Sequence, residues 1–103
     1  MNFKRIISIV LVCLMATMSM TAKVRKSKAP VKITCIGASI TEGAMTANPA
    51  TDSYPAQLGR MLGERYVVSN FGVGGCTMLR KGDCPYWEKE AYQQALVSEP
   101  DIV

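Results

Sequence analysis

The chemistry in this chain begins at one hydroxyl. In Ile33-Thr34-Cys35-Ile36-Gly37-Ala38-Ser39-Ile40-Thr41-Glu42-Gly43, an apolar run breaks at Gly37, and Ser39 follows two residues later. A residue just past the carboxyl end of a buried strand sits where open α/β sheets bind their ligands, and a serine there attacks carbonyl carbon once a base takes its proton. The chain contains no histidine, so it carries no imidazole to act as that base. Serine is also a common helix cap, so the residue type alone leaves both roles open. Glu42 has the same two readings, as an acid near the serine or as a carboxylate at a helix start.

A second group of residues lies downstream. Asn70-Phe71-Gly72-Val73-Gly74-Gly75-Cys76-Thr77 ends another apolar run in glycines, which permit a tight loop. A dinucleotide-type phosphate turn would need glycine where Thr77 stands, and no matching acid follows about 20 residues on. Tyr86 and Trp87 have the ring faces to stack on a sugar or to fill a core. Arg80 and Lys81 are suited to an acidic group or to a solvated loop. Cys76 and Cys84 flank the segment and are available for a disulfide in an oxidising compartment; Cys35, inside an apolar run, reads as a small core residue. With no histidine, the cysteine spacing gives little support to zinc.

These residues need a scaffold. The pattern predicts a first strand over 31–36, bounded by Pro30 and Gly37, and a loop over 46–52 around Asn48-Pro49. A helix starts with Ser53 as N-cap and Pro55 in its first turn, with Tyr54, Leu58, Met61 and Leu62 on one face and Gly63 as its stop. A second strand spans 66–71, followed by the glycine loop and an irregular excursion over 77–85. One helix over 86–98 turns Trp87, Ala91, Ala95 and Leu96 toward the sheet. Pro100 ends it, and Asp101-Ile102-Val103 opens a third strand. Strand, helix, strand, helix, strand implies α/β architecture with a parallel sheet.

At 103 residues the chain holds one small domain at most. Met1 to Ala22 reads as a secretory signal: Lys4 and Arg5, then an apolar run shorter than a membrane span, then small residues for cleavage. That places the protein outside the cytoplasm, secreted or periplasmic, with no stable membrane span. Cys13 follows Val12 within the run, which argues against a lipoprotein site. Residues 23–30 form a basic linker. The formal net charge of +4 comes from the leader and linker: from residue 33 onward five basic residues face all eight acids, a net −3. A nucleic-acid partner would need a basic face on the domain itself. About 80 residues remain past the leader, marginal for an α/β core covered on both faces, so the chain reads as the amino-terminal piece of a longer domain.

Gly37-Ala38-Ser39-Ile40-Thr41 resembles the nucleophile block of the SGNH (GDSL-type) hydrolases, and Asn70 to Thr77 resembles that family's second block, Asn-x-Gly-x-x-Gly. With the helix start Ser53-Tyr54-Pro55-Ala56-Gln57-Leu58, residues 31–103 are most similar to the bacterial carbohydrate O-acetylesterase branch. The resemblance implies a flavodoxin-like three-layer sandwich with a parallel sheet, of which only the first strands and helices would be present. It implies a secreted serine esterase acting on acylated, above all acetylated, carbohydrate. Ser39 would be the nucleophile and one oxyanion donor through its N–H, and Gly75 N–H would be a second donor. No metal or organic cofactor is implied. The family's Gly-x-Asn-Asp block and its Asp-x-x-His pair are missing from these 103 residues, and Ala38 stands where the family carries aspartate. Alone, the chain would therefore be inactive. A non-catalytic carbohydrate-binding module of the same fold and a lipid acylhydrolase remain as alternatives.

Overall fold

Two parallel strands organise the molecule, and their pairing is in full register. In a computed structural model, which describes residues 2, 3 and 28–103, β1 is Val31–Gly37 and β2 is Tyr66–Gly72. Val31 lies opposite Tyr66 and Gly37 opposite Gly72. Most of the expected signal sequence and of the basic linker lies outside the described residues. Both strands run one residue past their expected ends, into the glycine that closes each. Beyond β1, Ile102 forms a parallel bridge to Ile33, tied by Thr34 N–H to Ile102 C=O (2.8 Å) and Ile102 N–H to Lys32 C=O (3.1 Å). The order across the sheet is therefore β2, β1, then the start of the expected third strand.

Helices cover both faces, which makes the chain an α/β fold. Side chains alternate across a sheet, so Ile33 and Cys35 share a face with their register partners Val68 and Asn70, and Thr34 and Ile36 share the other with Ser69 and Phe71. After the short helix α1, Ser39–Glu42, come α2, Pro49–Asp52, and α3, Tyr54–Leu62. The α3 helix covers the first face, and the position of a Cβ on Gly59 would lie 3.6 Å from Val68. On the second face α4, Glu90–Val97, lies over β1, with Thr34 Oγ1 3.2 Å from Ser98 Oγ. A small apolar cavity of about 110 Å³ remains between α4 and Ile36.

The sequence pattern misjudged three details. Residues 49–52 are helical rather than loop, because Asn48 Oδ1 accepts from Ala50 N–H at 3.1 Å and Pro49 supplies a helical φ at the first position. The expected apolar face of α3 is also rotated: Met61 is 83% exposed, and Pro55 is buried in its place. Met61 therefore lies off the stripe that meets β2, to which Gly59, facing Val68, belongs. The expected helix over 86–98 is interrupted: a 3-10 turn, Tyr86–Glu88, precedes extended Lys89, and α4 starts only at Glu90. The interruption leaves Tyr86 fully buried and Ala95 on the sheet side, while Leu96 is 55% exposed.

Candidate functional site

The backbone builds the site before any side chain enters it. With Gly37 opposite Gly72, the loops that carry Ser39 and Gly75 leave the same end of the sheet from neighbouring strands, and Val73 N–H donates to Gly37 C=O at 2.9 Å. The two loops press together where side chains are absent. A Cβ on Gly72 would collide with Glu42 N, and one on Gly74 with the Glu42 carboxylate. At Gly72 the clash is with backbone, so glycine is required there by close approach rather than by backbone angle; at Gly74 the flexible Glu42 side chain can move aside.

Ser39 is the first residue of α1. Ala38 holds the N-cap position, and no side chain caps the helix, so the capping role left open by the sequence is not the one Ser39 plays. Its carbonyl accepts from Gly43 N–H at 3.0 Å and from Ala44 N–H at 2.9 Å. Gly43, with φ 97°, makes the left-handed turn that permits this. The half-buried Ser39 hydroxyl and the Ser39 N–H bond to no other described residue. Gly75 has φ +77°, with open space where a side chain would project, and its N–H is likewise uncommitted among the described residues. Two uncommitted amide donors and an uncommitted hydroxyl thus lie on loops leaving the same end of neighbouring strands. Such a constellation can hold an oxyanion at a carbonyl carbon under attack.

Asn70 ties the two loops together. Its Oδ1 accepts from Gly72 N–H at 2.9 Å, while Nδ2 donates to Thr41 C=O at 2.7 Å and, more weakly, to Ser53 Oγ at 3.4 Å. Ser53, read as a helix cap, starts α3 without a capping bond. The role of Asn70 does not follow from the second block alone. The available signal was an amide side chain within an apolar strand run, able to donate and accept toward backbone on either side.

Glu42 borders an open cleft of about 360 Å³ together with Pro49, Ser53, Ala56, Val68 and Asn70. Neither Ser39 nor Gly75 lines this cleft. Of the other candidates, Tyr86 cannot stack on a ligand: it is fully buried, and its hydroxyl donates to Phe71 C=O at 2.7 Å. Burial pushes its phenol up, with a further push from Cys76. Trp87 packs edge-on against Tyr86 and Tyr92, donates to Met78 C=O at 2.9 Å, and has the Arg80 guanidinium 5.6 Å above its ring. Arg80 remains exposed in this loop, as expected, with its guanidinium over the indole. Cys35 is buried, as its run implies, and burial pushes its thiol up. Cys76 and Cys84 are free thiols whose sulfurs lie 2.9 Å apart.

Comparison with known proteins gives one informative likeness. Over 73 residues, 71% of this chain, the sequence is 48% identical to an acetylxylan esterase of Xylanibacter ruminicola. The chain spans 15% of that relative's length. No family model matches the chain, and no solved structure matches it significantly. Among the described residues, no helix is long and apolar enough to cross a membrane, and no group of three His, Cys, Asp or Glu side chains converges as a metal site would require.

Proposed function

We propose that this chain is the amino-terminal part of an exported serine esterase of SGNH type, which removes acetyl groups from carbohydrate within a flavodoxin-like sandwich. The observation that carries the proposal is the 48% identity over 73 residues to an acetylxylan esterase. The free hydroxyl of Ser39 and the free N–H groups of Ser39 and Gly75, on adjacent loops, support it. The Ser39 oxygen attacks the ester carbonyl, and the two N–H groups hold the resulting oxyanion. Loss of one such donor costs about 3 kcal/mol of transition-state stabilisation. The chain has no histidine, so the base that deprotonates Ser39 and later protonates the leaving alcohol comes from outside these residues.

The test is a graft. The matching segment of the Xylanibacter ruminicola enzyme is replaced by this chain's, and acetate release from acetylated xylan is measured. The expected result is an active graft whose Ser39→Ala form loses at least about 10³-fold in kcat. An active graft indifferent to Ser39→Ala would end the proposal.

A further inference from the structure

The loop that follows Gly75 holds chemistry that ester hydrolysis does not use. From Cys76 the chain makes its excursion and returns, so that Thr77 N–H donates to Cys84 C=O at 2.9 Å and Tyr86 N–H to Thr77 C=O at 2.8 Å. These bonds form a bridge between Thr77 and Pro85. They fix the flanking backbone on both sides of the cysteines and hold the two sulfurs 2.9 Å apart. The sulfurs are not equivalent. Cys76 is buried, whereas Cys84 is partly open to solvent. The hydrogen bond from Cys76 lowers the Cys84 thiol, and the Lys89 ammonium adds to this against the opposing effects of burial and Glu88. The same bond, with burial and the charge of Glu42, raises Cys76. A thiolate that is accessible and stabilised by a neighbouring cation is the reactive form of cysteine.

We propose that Cys76 and Cys84 form a thiol–disulfide exchange site, with Cys84 the attacking sulfur, Cys76 the resolving sulfur, and a small disulfide as co-substrate. The Cys84 thiolate attacks one sulfur of the small disulfide, forming a mixed disulfide and expelling one thiolate. Cys76 loses its proton to solvent and attacks the Cys84 sulfur, which expels the second thiolate. Two electrons pass from the two cysteines to the small disulfide, and the new bond closes residues 77–83 into a ring. Because Cys76 directly follows Gly75, that bond also anchors the loop bearing the free Gly75 amide.

The experiment uses the reduced 103-residue chain, oxidised glutathione as the probe, and peptide mass mapping. The expected products are a Cys76–Cys84 cross-link in the unsubstituted chain, with Cys35 still open to alkylation, and a stable glutathione adduct on Cys84 in Cys76→Ser. In Cys84→Ser the adduct on Cys76 should form at least about tenfold more slowly. A chain that forms no internal cross-link overturns the proposal, as does Cys84→Ser reacting as fast as Cys76→Ser. No hydrolysis is read, so failure of the esterase proposal and failure of this one give different results.

Discussion

Ser39 and Asn70 represent two kinds of residue, one with free valences and one with none. Ser39 offers a hydroxyl and an N–H that no described residue uses, but a serine without a base is a poor nucleophile, and general-base help is worth about 10²–10⁴-fold. The 103-residue chain should therefore hydrolyse p-nitrophenyl acetate no faster than its Ser39→Ala form, and serine-dependent turnover would show that another group deprotonates it. Asn70 makes its bonds to Gly72 N–H and Thr41 C=O, both stretches of backbone. Asn70→Ala should lower stability by about 0.5–1.5 kcal/mol in urea unfolding. Asn70→Asp should do no better, because it puts a carboxylate oxygen where Thr41 C=O needs a donor. Ser39 was legible in the sequence because a strand that ends in glycine announces its own end. The role of Asn70 was not, since Thr41 lies 29 positions away and only the folded sheet brings it near.

At the scale of elements, the strands could be read and the helix faces could not. β1 and β2 were legible from β-branched runs closed by glycine. The face of α3 that meets β2 includes Gly59, which hydrophobic periodicity does not register. Two glycines test this account in opposite directions. A Cβ on Gly59 would meet Val68 at 3.6 Å, ordinary contact distance, so Gly59→Ala should raise stability by about 0.5–1 kcal/mol through helix propensity. On Gly72 the same atom would strike the Glu42 backbone, so Gly72→Ala should cost about 1–3 kcal/mol as the loops part. Equal effects in thermal or urea melts would contradict this packing. The turn at 49–52 escaped notice because Asn48-Pro49 marks a loop and a helix start equally well. The break at Lys89 escaped because buried Tyr86 determines it, and nothing local to the sequence shows that burial.

At the scale of the molecule, Tyr86 links the layers: its ring lies under the 3-10 turn, and its hydroxyl bonds to the end of β2. Burial favours its neutral phenol, so the folded pKa lies above the ordinary value of 10.0. Its contribution to stability is whole below that pH and is lost as pH rises through the folded pKa. Tyr86→Phe should cost about 1 kcal/mol at neutral pH through the lost hydroxyl bond to Phe71 C=O, and should flatten the fall in stability above pH 10.0. A parallel alkaline decline in both forms would assign the effect elsewhere. The parallel order of strands was legible from the alternation of strand and helix. The position of β1 between β2 and Ile102 was not, because local sequence does not say on which side a returning strand will lie.

The paired acceptance at the Ser39 carbonyl, from Gly43 and Ala44, has an evolutionary consequence. The turn that presents the hydroxyl is held without any bond from the serine side chain, and any residue compatible with a helix start supplies the same carbonyl. A lineage can exchange this serine and keep the architecture without passing through an unfolded intermediate. Selection for folding alone is blind to that oxygen.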